Sequence, residues 1–122
     1  MKKIYLYTPD KEKKAAIERI CAEQGIEPCT LKAADLNRRV AEICAVPMKA
    51  GGAHRPAPAL YAMPELLLFY GLDDKALDRF LDACHAAGIE KIRRKAIVTP
   101  TNLGWSLYEL AEQLGIESGG GE

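Results

Sequence analysis

The sequence has few of the features that name a chemistry outright. None of its four cysteines (Cys21, Cys29, Cys44, Cys84) forms a C-x-x-C pair. Neither G-x-G-x-x-G nor G-x-x-x-x-G-K-[ST] occurs, which excludes the two commonest glycine-rich phosphate cradles. No apolar stretch reaches the roughly 18 residues needed to cross a bilayer, so no membrane partner is expected. Neither sign of charge is in excess, 17 basic residues balancing 17 acidic ones. A neutral chain lacks the usual electrostatic footprint of a nucleic-acid binder, and little self-repulsion opposes its association with itself. The opening residues, Met1 to Asp10, are too short and too soon polar for an export signal. A cytoplasmic location with all four thiols free follows as the expectation.

What is present is an ordinary globular composition, 48% hydrophobic and 28% charged over 122 residues. That length suits one domain, 1–122, able to bury roughly two-thirds of its unfolded surface. Sliding the chain by 63 positions sets Asp10 on Asp73, Cys21 on Cys84 and Gly25-Ile26-Glu27 on Gly88-Ile89-Glu90. Lys32-Ala33 also meets Lys95-Ala96, and beyond it an offset of 67 pairs Val40, Glu42 and Ile43 with Leu107, Glu109 and Leu110. The pattern predicts an internally duplicated β-α-β-α unit: a first copy at 3–45, a connector at 46–64, a second copy at 65–116 and a flexible tail at 117–122.

In each copy a short apolar run, Ile4 to Tyr7 or Leu66 to Tyr70, reads as a buried strand. Helix stripes follow at Ile17, Ile20, Cys21, Gln24 and at Leu77, Phe80, Leu81, Cys84. Thr8 with Pro9 suits the first helix start, and Asp73 the third. Gly25 and Gly88 stand where a left-handed C-cap is wanted. Second strands are expected at Glu27 to Lys32 and Lys91 to Val98. Ser106-Leu107-Tyr108-Glu109 is a capping box, with Trp105 placed to staple onto Leu110. The fold class is therefore α/β: one four-stranded, mostly parallel sheet of order 2-1-3-4, helices on both faces, with a switch point between the first and third strands. The rival arrangement joins the halves about a pseudo-two-fold, the central strands antiparallel. The connector, rich in Pro and Gly, reads as a mobile link or as a lid.

Leu66 to Gly71, Leu77-Asp78-Arg79-Phe80-Leu81, Ala87-Gly88-Ile89 and Lys95-Ala96-Ile97-Val98-Thr99-Pro100-Thr101-Asn102-Leu103-Gly104-Trp105 together resemble a bacterial domain family of unknown function, family 3783. The likeness covers residues 60–114 and implies kinship without a mechanism.

If the sheet is parallel, Thr8-Pro9-Asp10, Gly71 and Asp73, and Thr99 to Asn102 share its carboxyl edge, where open α/β sheets bind ligands. Thr99, Thr101 and Asn102 offer hydroxyls, an amide and backbone donors, and Lys95 a positive charge; together they suit an anion. The same residues also make ordinary turns and caps. Lys95, with Lys32 as its counterpart, fits a strand-edge guard better than a ligand contact. Lys91 to Lys95 is a basic run without aromatic interleaving, and nucleic acid is not expected as a partner. Cys84 and His85 diverge by about 100° on a helix and make no nucleophile–base pair. Asp74, Asp78 and Asp82 read as a solvated face, and His54 as a loop histidine. Trp105 could anchor a partner protein. The leading expectation is a non-enzymatic protein-interaction module, self-associating or binding an unidentified protein, with no catalytic residues, metal or cofactor. The alternative is a small anionic-ligand binder or enzyme using Lys95, Thr99, Thr101, Asn102, Gly71 and Asp73.

Overall fold

Alternation along the central strands decides which residues meet which layer. In β1 (Lys3–Tyr7) Ile4 and Leu6 face one side and Tyr5 the other, all three buried. In β3 (Leu66–Tyr70) the first four residues are buried, because this strand is covered on both faces. The computed structural model describes residues 2–47 and 57–120, with side chains as far as 115. His54 and the middle of the connector lie outside these residues.

The remaining elements are α1 (Lys11–Glu23), β2 (Glu27–Thr30), a 3₁₀ turn at Ala33–Asn37, α2 (Val40–Ile43), α3 (Asp74–Ala86), β4 (Lys95–Ile97), a second 3₁₀ turn at Asn102–Gly104, and α4 (Leu107–Gly120). The helix α4 continues through residues 117–120, which the sequence assigns to a tail. The strand order is β2-β1-β3-β4, as expected. β1 pairs parallel with β2, and β3 parallel with β4. The central pair, β1 with β3, is antiparallel, with Tyr5 opposite Leu68. The mixed sheet thus takes its arrangement from the pseudo-two-fold alternative. No parallel switch point forms, and Thr8 to Asp10 leave the sheet at the edge opposite Gly71, Asp73 and Thr99 to Asn102.

One layer packs α1 and α3 on the sheet through Ile17, Ile20, Cys21 and Phe80, which meet Ile4, Leu6, Leu67 and Phe69. The other packs α2 and α4 through Val40, Leu107 and Leu110 around Tyr5, Leu66 and Leu68. Tyr61, at the end of the connector, sets its ring edge-on to Tyr108 at 4.7 Å between centroids.

Helix starts follow the sequence closely, with one shift. Asp73 caps α3, accepting the Ala76 N–H at 2.8 Å. α1 is capped by Asp10 rather than Thr8, since a carboxylate accepts both the Glu12 and Lys13 N–H groups. Thr8 instead donates to Glu65 at 2.6 Å, and Lys13 pairs with the same carboxylate at 3.0 Å. Gly25 and Gly88 hold φ of 69° and 73°, closing α1 and α3. The Ser106–Glu109 box is formed reciprocally, at 2.9 and 3.1 Å.

The halves repeat one another's hydrogen bonds. Ile26 N donates to Cys21 O as Ile89 N does to Cys84 O, and Leu31 N to Leu6 O as Val98 N does to Phe69 O. At the second contact between the halves, Val40 N donates to Trp105 O while Leu107 N donates to Arg38 O, each at 2.9 Å. Arg39 faces Ser106 there across an antiparallel bridge. These pairs fix the correspondence at 63 positions through α1 and α3, and at 67 from β2 and β4 onward. Lys95 therefore matches Pro28, opposite Leu67 and Ile4 respectively. Lys32 matches Thr99 instead, because the four extra residues, Lys91 to Arg94, enter before β4.

Candidate functional site

β4 is three residues long and forms the outer edge of the sheet, too short to cover the helices on either side of it. Past this edge lies an open groove of about 580 Å³. α3 contributes Leu77 and Leu81, β4 contributes Lys95 and Ile97, and Thr99, Trp105 and Leu114 supply the rest of its character. A smaller cavity of about 200 Å³ is lined by Phe80, Cys84, Ile89, Lys91 and Ile92. Leu81 and Lys95 belong to the walls of both.

Lys95 is half-buried, and no carboxylate pairs with it among the described residues. Burial lowers its ammonium pKa below the ordinary lysine value, Lys91 adds like-charge repulsion, and Cys84 partly opposes both. A cation so placed is short of a counter-ion. Cys84 is no nucleophile in this setting: burial pushes its thiol pKa up, against a smaller pull from Lys95. Cys21 is pushed up to about 12 by its burial. All four cysteines are free thiols.

Of the residues singled out in the sequence, Lys95, Thr99, Asn102 and Trp105 come together along the groove. Gly71, Asp73 and Thr101 are not among its lining. Gly71 turns the chain out of β3 at φ 77°. The Asp73 carboxylate is engaged with α3, and Thr101 is exposed.

The Thr99–Asn102 loop is built around the asparagine. Its Oδ1 accepts the Thr99 N–H at 2.9 Å, its Nδ2 donates to Ile97 O at 3.0 Å, and its own N–H donates to Thr99 Oγ1 at 3.2 Å. Only 7% of Asn102 remains exposed. Pro100 has no N–H to give. The backbone donors of Thr99 and Asn102 are thus spent within the loop, while the Thr99 side chain shares the groove lining with Lys95.

Sequence reasoning missed the leucine wall. Leu77 and Leu81 fit the helix stripe and do pack against the core, but both stay half-buried and also line the groove. Asp74, Asp78 and Asp82 are all exposed, as a solvated face should be. No group of histidines, cysteines and carboxylates suited to a metal exists among the described residues. No helix among them is long and apolar enough to cross a membrane.

The family model for a domain of unknown function (DUF3783) matches residues 65–118, from the start of β3 into the last turns of α4. No curated protein and no solved structure matches the chain.

Proposed function

We propose, from the premise that residues 65–118 belong to this family of unknown function, that the protein binds a small organic anion at Lys95, in the groove between α3 and α4. The observation that carries the reading is a half-buried lysine with no ion pair among the described residues, shared by the walls of two largely apolar cavities. Such a charge is costly until it is paired. Thr99 Oγ1 supplies a hydrogen-bond donor in the same groove. The groove volume falls within the few-hundred to thousand Å³ range of small-molecule sites. Among the described residues that line the groove there is no histidine, cysteine or carboxylate to serve as thiol nucleophile or acid–base partner, so binding alone is proposed. The test follows the lysine ε-methylene resonances by NMR while butanoate is added at neutral pH. A saturable shift at Lys95 together with loss of the calorimetric butanoate binding in Lys95→Met supports the site; calorimetric butanoate binding unchanged in Lys95→Met refutes it.

Self-association through the β4 edge is the second reading. Ile97 favours it, 46% exposed at the end of the edge strand β4. Against it stand the shortness of β4, the flanking Lys95, and the Asn102 amide that occupies Ile97 O. A dimer in native mass spectra that disappears in Ile97→Lys would support this reading, and a strict monomer would remove it.

The halves are also proposed to be copies of one ancestral unit, and the repeated hydrogen bonds support that reading. A chain whose α1 sequence is replaced by that of α3 should retain the same sheet by hydrogen exchange; collapse of protection in β1 and β2 would count against it.

A further inference from the structure

The repeated architecture supplies an internal control for the groove, because each of its positions has a counterpart in the first half. Leu77 corresponds to Lys14, Leu81 to Glu18, Ile97 to Thr30 and Trp105 to Arg38, on the hydrogen-bond and strand registers already given. In the first half these places are polar or charged. Lys14 and Glu18 are half-buried on α1, and Arg38 is paired with Asp35 at 3.1 Å and reaches Glu42 at 3.9 Å. The fold itself therefore does not require apolar side chains there. The second half carries four large ones, and pairs them with Lys95 where the first half has Pro28. Charge and hydrophobicity are arranged at this one edge in a way the scaffold does not demand.

We propose that the ligand is an amphipathic monocarboxylate, a free acyl chain whose carboxylate meets Lys95 and Thr99 Oγ1 while its hydrocarbon lies along Leu77, Leu81 and Trp105. This rests on the anion reading above and adds the chemical class. A phosphate ester fits less well, because its second negative charge would meet no second cation in a groove whose other donors, on Thr99, Trp105 and Gln113, are neutral. The N–H groups of Thr99 and Asn102 are already bonded inside the loop, and Pro100 has none. One cation in the groove matches one carboxylate. The groove is open along one side, so the tail is only partly desolvated. Each added methylene should then tighten binding by roughly two- to fourfold.

Calorimetry on the full chain at neutral pH tests this with butanoate, hexanoate, octanoate and inorganic phosphate. Affinity should rise along the carboxylate series, with phosphate far weaker than octanoate. Truncating the wall as Leu77→Ala with Leu81→Ala should lower octanoate affinity by about tenfold or more while butanoate falls far less, flattening the chain-length series; an octanoate-to-butanoate ratio unchanged in the folded variant overturns the acyl-chain proposal. The single tryptophan, Trp105, gives a readout without any variant: octanoate should shift its emission and butanoate should not. A flat chain-length series, or phosphate binding as well as octanoate, overturns the acyl-chain proposal and leaves the anion site standing. If no carboxylate binds the wild-type chain, both fall.

Discussion

Asn102→Ala separates a loop-building asparagine from a ligand-binding one. The substitution deletes the acceptor for Thr99 N and the donor for Ile97 O, bonds of 2.9 and 3.0 Å. Leaving a buried group unsatisfied costs about 1–3 kcal/mol each. Thr99 and Ile97 are both exposed residues, so water can reach part of what is lost and the lower half of that range applies. The expected loss from the two groups together is about 2–4 kcal/mol. For a chain this size, 1 kcal/mol moves the melting temperature by about 3–5 °C, so a fall of about 6–20 °C should appear in calorimetry. The corresponding residue in the first half, Asp35, accepts the Lys32 N–H at 2.8 Å and has no donor to give when ionised. Asn102→Asp should accordingly keep one bond, lose the other, and fall between wild type and alanine at pH 7. Thr101→Ala, at an exposed position, should stay within about 0.5 kcal/mol of wild type. A melting temperature unchanged in Asn102→Ala would refute this account of the loop.

Three further outcomes follow. The lowered Lys95 pKa means that the folded state disfavours the charged form: its penalty is present at neutral pH and is relieved as pH rises from the folded pKa toward the ordinary 10.5. Lys95→Met should therefore be at least as stable as wild type at pH 7, and any advantage should vanish by about pH 11; a melting temperature several degrees lower at pH 7 would contradict this. The thiols shift the other way. Burial raises all four, Cys21 to about 12, so stability should be intact below the ordinary thiol value of 9.0 and decline as pH climbs above it. Iodoacetamide at pH 8 should accordingly leave Cys21 and Cys44 unlabelled in the native protein, as mass spectrometry of the peptides would show; rapid labelling of either would contradict their burial. Ser106→Ala removes one arm of the box that opens α4 and should cost about 1 kcal/mol by denaturant unfolding. An unchanged midpoint would mean that packing alone sets where α4 begins.

Local chemistry made much of this fold readable in sequence. Asp73, Gly25, Gly88 and the Ser106–Glu109 box act through neighbours a few residues away, and each stands where its residue type implies. The strand order followed from two strand-helix-strand units. The relative direction of the central strands did not, because β1 and β3 are joined through a connector long enough for either direction. That long-range choice divided the expected carboxyl-edge site in two, sending Thr8 to Asp10 to the far edge. Lys32 and Lys95 were misaligned for a related reason: Lys-Ala recurs at the earlier offset by composition, while the strand register places the insertion before β4. Within the site, Lys95 and Trp105 were visible as candidates by charge and size. The roles of Leu77 and Leu81 were not, since a helical period cannot tell a core leucine from one overhanging a short edge strand.

The most direct test of the carboxylate site is an isotope-filtered NMR measurement of contacts between ¹³C-labelled octanoate and the full chain. The account predicts nuclear Overhauser contacts from the terminal methyl to the Trp105 ring and the Leu77 or Leu81 methyls, together with a carboxylate-dependent shift at the Lys95 ε-methylene. Saturable binding with contacts at any other surface, and Lys95 unmoved, would contradict it.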